Sequence, residues 1–207
     1  MIRVHTIQTR LSNAFLLENE TGLFLVDACA PGSHVRVLQE VERLRKQLKL
    51  IFITHAHFDH YGSAAAVKAA TQAPIAIHSA DAAAMARGLT PIRSARGRGR
   101  LSLPLVPLMN RLITRWKTEA DVLVQDGSRL DEYGLPARVL HTAGHTPGST
   151  CLLVQNGRTG PLAFTGDLVT AGRVPALQRL YADDWRAIAG GTAGPGVLRT
   201  WLSAHTR

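Results

Sequence analysis

Three histidines and an aspartate fall within six consecutive positions, His55-Ala56-His57-Phe58-Asp59-His60, directly behind the apolar run Leu50-Ile51-Phe52-Ile53. Few folded chains keep so many metal-binding groups this close together unless a metal holds them. Alternation along an extended chain puts His55, His57 and Asp59 on one side, and crowded imidazoles repel one another once protonated. A cation at the C-terminal end of a buried strand removes that conflict, so the fold must bring further ligands to that strand end. Two more pieces have the same form, Ala143-Gly144-His145-Thr146-Pro147-Gly148-Ser149 and Phe164-Thr165-Gly166-Asp167, each behind a strand-like apolar run.

The order of elements fits such a fold. Ile2-Ile7, Phe15-Leu17 and Leu23-Val26 read as short strands, with Asn19-Glu20-Thr21-Gly22 turning between the last two. Apolar residues at Val37, Leu38, Val41, Leu44 and Leu48 predict a helix over Val35 to Leu48 with Ser33 as its N-cap. After the strand Leu50-Ile53 come an Ala-rich helix from Ser63 to Ala70, a strand Ile75-His78, and a helix from Ala80 to Arg87 closed by Gly88. Residues 90-118 break the pattern with Pro, Arg and Gly followed by Leu105, Val106, Leu108, Met109, Leu112 and Ile113, and read as an insertion or lid that carries substrate choice. Strands resume at Val122-Gln125, Arg138-His141, Ser149-Val154 and Leu162-Thr165. Each half thus supplies strands and a helix, and two halves packed face to face give an α/β protein with a four-layer αββα sandwich.

Composition sets the frame. A chain of 207 residues with 45% hydrophobic content is expected to form one domain over residues 1-207. No apolar run reaches the ~18 residues that span a bilayer and no apolar leader opens the chain, so a cytoplasmic location is expected. Cys29 and Cys151 form no C-x-x-C pair and are expected to be buried free thiols. The net charge is +9. Arg36, Arg43, Arg45, Lys46 and Lys49 alternate with Glu40 and Glu42 and read as a solvated helix face, whereas Arg93, Arg96, Arg98, Arg100, Arg111, Arg115 and Lys117 form the one cluster that can act as a basic patch.

Taken together, His55-x-His57-x-Asp59-His60, Gly144-His145-Thr146-Pro147-Gly148 and Gly166-Asp167 resemble the metal motifs of the metallo-β-lactamase superfamily, and Asp27 resembles its early buttressing aspartate. The resemblance runs from about residue 5 to 185. It implies the αββα fold and a dinuclear site, with His55, His57 and His145 on one metal, Asp59, His60 and a final histidine on the other, and Asp167 bridging. His205 is the only histidine after Asp167 and takes the final place, although the family's ending is altered here: Ala189-Gly190-Gly191-Thr192-Ala193-Gly194-Pro195-Gly196 opposes a helix, which marks residues 186-207 as an atypical tail. Imidazole and carboxylate ligands suit Zn²⁺, with Fe²⁺ or Mn²⁺ as alternatives.

The chemistry expected of such a site is hydrolysis. Two metals acidify a shared water and polarise a carbonyl or phosphoryl oxygen, with Asp59 as the catalytic carboxylate orienting the nucleophile. The expected substrate is a small-molecule ester, thioester, lactone or amide. Two alternatives stand beside it: a nuclease resembling the RNase Z branch, prompted by the positive charge but lacking an aromatic stacking series, and a non-catalytic or mono-iron relative. Thr54, Thr146 and Ser149 are candidates to hydrogen-bond the ligands or cap their loops, Tyr61 and His78 are expected to pack, and the apolar insertion is also a candidate homodimer contact.

Overall fold

The computed structural model describes residues 1–157, 160–170 and 176–191. In chain order the elements are β1 (Arg3–Gln8), β2 (Asn13–Glu18), β3 (Leu23–Val26), α1 (His34–Leu44), β4 (Leu48–Ile53), the single turn α2 (Phe58–Tyr61), α3 (Ala64–Thr71), β5 (Ile75–His78) and α4 (Ser79–Arg87). There follow β6 (Ser94–Ala95), α5 (Val106–Ile113), β7 (Val122–Val124), β8 (Ala137–His141), β9 (Thr150–Val154), β10 (Leu162–Phe164), β11 (Val169–Thr170), β12 (Ala176–Leu177), β13 (Tyr181–Ala182) and α6 (Trp185–Gly191).

Alternation of side chains sorts these elements into four layers. The first sheet has the order β1-β2-β3-β4-β5-β7, antiparallel through β3 and parallel from β3 onward. Leu23, Leu25, Ile51, Ile53, Ile75 and Ile77 on one face pack with Val37 of α1, Val67 of α3 and Met85 of α4. Phe24, Val26, Leu50, Phe52, Ala76 and Val124 on the other face pack against Ala137, Val139, Leu152 and Val154 of the second sheet, β10-β9-β8. That sheet's outer residues Leu140 and Cys151 meet Ile188 and Trp185 of α6. The expected αββα sandwich is therefore present. Strands β3, β4 and β5 are near-continuous apolar runs because both faces of the first sheet are covered there.

Three local expectations change. Helix α1 ends at Leu44 rather than Leu48, because Arg45 takes a left-handed conformation (φ 51°) and Leu48 is needed as the first residue of β4, where it pairs with Leu23. Ser33 makes no side-chain cap; the His34 N–H instead donates to Ser63 Oγ at 3.0 Å. The glycines after Trp185 do not prevent a helix from starting there, since Asp184 Oδ1 accepts the Arg186 and Ala187 N–H groups and Ile188 is buried. Tertiary burial and a cap outweigh weak propensity over α6. Cys29 and Cys151 are buried and free.

The parallel half of the first sheet positions everything that follows. Strands β3, β4 and β5 end at one edge, the edge at which open α/β sheets bind ligands. Asp27 follows β3, Thr54 and His55 follow β4, and α4 carrying Asp81 follows β5. Residues 92-118 hold the two-residue strand β6, which pairs with β13, followed by short 3-10 turns and α5.

Candidate metal centre

Four imidazoles and two carboxylates meet at that edge. His55, His57, His60 and His145 are each at most 5% exposed. One ligand atom from each of His55, His57, His145 and Asp167 falls within 4.8 Å of the others. Asp167 reaches two ways: Oδ2 lies 3.3 Å from His145 Nε2 and Oδ1 lies 3.3 Å from His60 Nε2. On the far side Asp59 Oδ2 is 3.9 Å from His60 Nε2. The structure thus gathers His55, His57, Asp59, His60, His145 and Asp167, all six of the predicted residues that it describes. His205 lies outside the described residues.

The outward nitrogens fix how each ring is oriented. His57 Nε2 is 2.9 Å from the Pro91 carbonyl and His145 Nδ1 is 3.0 Å from the Tyr181 carbonyl. A carbonyl only accepts, so both of these nitrogens carry the hydrogen. His60 Nδ1 donates to Asp27 Oδ2 at 2.8 Å. The Thr54 hydroxyl lies 2.9 Å from Asp27 Oδ2 and 3.0 Å from His55 Nδ1, so it donates to the carboxylate and accepts from the ring. Every outward nitrogen is therefore a donor, which is the pattern that prepares imidazoles for a cation. Inward, His57 Nδ1 and His145 Nε2 face each other at 3.0 Å, and His55 Nε2 is buried without a hydrogen-bond partner.

Two inward lone pairs this close repel unless a proton or a metal lies between them. Burial, with His145 adding to it, pushes the His57 imidazolium down to about 3, and burial with the neighbouring His60 pushes His55 well below the ordinary range. Protons are thus poor occupants. The donor set matches a divalent cation: imidazole and carboxylate with no thiolate, and a 3.0 Å separation close to the ~3.3 Å edge of a tetrahedron with bonds of about 2.0–2.1 Å. His60 differs. Burial opposes its charge, but Asp27 and Asp167 outweigh burial and hold its proton well above the usual range. Asp59 is shifted upward by burial, with His60 opposing.

The loops are held by two buried aspartates. Asp27, left-handed at φ 59°, accepts the Thr54 N–H at 2.8 Å besides its contacts with the Thr54 hydroxyl and His60. Such a backbone costs about a kcal/mol for a residue with a side chain, and it turns the carboxylate into the site. Asp81 does the same between the other loops. It accepts the Ala56 N–H at 2.8 Å, the Gly148 N–H at 2.7 Å and the Thr146 hydroxyl at 2.6 Å, joining the first histidine loop to that of His145. Gly148 has no room for a side chain, since an added Cβ would stand 2.7 Å from Asp81 Cβ. Ser149 Oγ caps the Thr146 N–H, and Tyr61 packs fully buried with its hydroxyl to the Leu89 carbonyl. His78 stacks on His141 away from the centre, at 4.0 Å between ring centroids.

The sequence reading missed Asp81. In the sequence it is a lone acid in the first turn of an Ala-rich helix, and its burial shows only in the structure. The carbonyls of Pro91 and Tyr181 left no signal, because a backbone acceptor has no residue identity. Replacing Asp81 with alanine strands the Ala56 and Gly148 N–H groups and takes one of two partners from the Thr146 hydroxyl. At about 1–3 kcal/mol for each unsatisfied group, the loss is on the order of 3 kcal/mol or more. Thermal melting should fall by roughly 10 °C in a chain of this size; a shift of less than ~2 °C would show that Asp81 does not hold the two loops together.

Beside His60 and Asp167 opens a cleft of about 460 Å³ lined by Leu11, Phe15, Val26, Phe164 and Val169, with Ser12, Asn13 and Thr54 as polar groups. Phe15 and Phe164 meet at 5.2 Å between ring centroids. The cleft's lining comes from the β1–β2 turn and the β10–β11 region rather than from residues 90-118. That insertion reaches the centre on the opposite side, through the Pro91 carbonyl at His57 and Thr90 Oγ1, which accepts the Phe58 N–H at 3.0 Å.

Fold and site together define a metallohydrolase scaffold, and the comparisons agree. The family model for the metallo-beta-lactamase superfamily matches residues 7–200, and the chain belongs to that family. It is 32% identical over 176 residues to "Probable metallo-hydrolase YflN" of Bacillus subtilis, covering 80% of this chain and 64% of the relative. It is 27% identical over 163 residues to the hydroxyacylglutathione hydrolase GloC of Haemophilus influenzae, covering 78% and 68%. Among solved structures, BJP-1, a subclass B3 metallo-beta-lactamase of Bradyrhizobium japonicum, superposes with a TM-score of 0.66 at 23% identity, covering 95% of this chain and 72% of that one. The chain thus spans about two thirds of the length of the two curated relatives. Among the described residues no helix is long and apolar enough to cross a membrane.

Proposed function

We propose that this chain hydrolyses a small-molecule thioester, ester or lactone with the help of divalent metal ions, zinc in the first instance. The observation that carries the reading is the pair of inward lone pairs on His57 Nδ1 and His145 Nε2, 3.0 Å apart, beside a partnerless His55 Nε2. His55, His57 and His145 with Asp167 would hold one ion. Asp59 and His60 with the other Asp167 oxygen would hold a second, with His205 as the candidate to complete it. Bound there, such ions supply a Lewis acid for the scissile carbonyl and acidify a water.

The protein's own residues set up the rest. Asp27 and Thr54 fix the rings of His60 and His55, and Asp81 fixes the spacing between the two histidine loops. Asp59 has its backbone carbonyl held by the Ser12 hydroxyl, which presents its carboxylate to the centre. Burial raises the affinity of that carboxylate for a proton, which suits Asp59 Oδ2 to orient a nucleophile and take up its proton. The apolar cleft would seat an acyl group with Phe15 and Phe164 against it, excluding water from the reacting carbonyl. GloC's name as a hydroxyacylglutathione hydrolase supports a thioester as the first substrate to try.

The test is turnover of thioester, lactone, cephalosporin and phosphodiester reporters by zinc-loaded protein, with and without chelator. Chelator-sensitive cleavage of the thioester or lactone is expected. Cleavage confined to the phosphodiester would move the protein to a nuclease, and full metal loading without any turnover would make it a non-catalytic relative.

A further inference from the structure

Leu101, Leu105, Leu108 and Leu112 recur at intervals of four, three and four residues, the spacing that lines up one face of a helix. In the structure they are 80%, 61%, 58% and 57% exposed. Residues 97–116 run through 3-10 turns into α5, and only Gly99 and Ile113 on this stretch are buried. A row of four exposed leucines is unusual on a soluble surface and marks an interaction site.

The charges around the row identify what it meets. From Ala82 to Thr118 the chain contains no aspartate or glutamate, yet it carries Arg87, Arg93, Arg96, Arg98, Arg100, Arg111, Arg115 and Lys117. Arg93 pairs with Asp183, while Arg96 and Arg115 stack over Trp185 and Trp116 at 4.2 Å. Arg98, Arg100, Arg111 and Lys117 are exposed, and among the described residues none has a carboxylate within ion-pair distance. Exposed leucines framed by uncompensated arginines, with half-buried Trp116 at the end of the helix, are the composition of a helix that lies in the interface of an anionic bilayer. We infer that the 97–117 face docks peripherally on an anionic lipid surface. Nucleic acid fits less well, because leucines offer neither phosphate contacts nor stacking planes.

Co-sedimentation tests this, using vesicles of phosphatidylcholine alone and of phosphatidylcholine mixed equally with phosphatidylglycerol. Binding to the mixed vesicles only, weakened by high salt, is expected. The double variant Leu105→Asp/Leu108→Asp should abolish binding. The triple variant Arg98→Gln/Arg100→Gln/Arg111→Gln should weaken it by about fivefold per arginine. All five positions are exposed and outside the metal centre, so melting temperature and reporter turnover should remain at wild-type values and show that each variant is folded. Equal binding to both vesicle types, binding to neither, or undiminished binding by the leucine variant overturns the inference. So does a dimer in light scattering that the leucine variant converts to monomer, which would assign the face to a second copy of the chain.

Discussion

His57→Ala is expected to abolish metal binding and the proposed hydrolysis together. The substitution removes the Nδ1 lone pair that faces His145 Nε2, leaving His55, His145 and Asp167 as an incomplete set. Altering a group that merely orients a ligand typically costs ~10–100-fold in affinity or activity, so deleting the ligand itself should exceed about a hundredfold. His34→Ala is the control, because His34 opens α1 and its ring takes no part in the centre; both metal content and turnover should match wild type. Elemental analysis of the two variants beside reporter kinetics decides the matter. Retained stoichiometry in His57→Ala would remove His57 from the ligand set.

Stripping the metal should lower thermal stability well before it unfolds the chain. The centre without a cation keeps two lone pairs at 3.0 Å and a buried nitrogen with no partner, and those groups come from the loop after β4 and the loop after β8. A ligand that binds only the folded state at a hundred to a thousand times its dissociation constant stabilises by about 2.7–4.1 kcal/mol. For a chain of this length that is roughly 5–15 °C of melting temperature. Calorimetry with chelator, followed by zinc repletion, should show this drop and its reversal. An unchanged melting temperature would mean that the cluster is held by its hydrogen bonds alone.

Much of the centre was legible in the chain because its ligands announce themselves by type. His55, His57, Asp59 and His60 sit behind β4 of the parallel half of the first sheet, while His145 and Asp167 sit behind β8 and β10, which both run antiparallel to β9 and so end on the same edge of the second sheet. The layer order was legible for the same reason, since Leu50-Ile51-Phe52-Ile53 must bury both faces. What lay hidden depends on contacts distant in sequence. Asp81 reaches Ala56 and Gly148 across 25 and 67 positions, and nothing local in Ser79-Ala80-Asp81 distinguishes it from a solvated first-turn acid. The cleft is built from Leu11, Phe15 and Phe164, ordinary core residues in a linear reading, whereas the conspicuous insertion at 90-118 turned out to show its leucines to solvent. Helix α6 was misjudged because its glycines were weighed by propensity alone, without the cap from Asp184 or the burial of Ile188.

Anomalous diffraction at the zinc edge, on crystals of zinc-loaded protein, probes the centre most directly. An ion is expected at His55 Nε2, His57 Nδ1 and His145 Nε2, with Asp167 shared toward a second ion at His60 and Asp59. Zinc found elsewhere, with those three nitrogens bound to no metal, would contradict this placement.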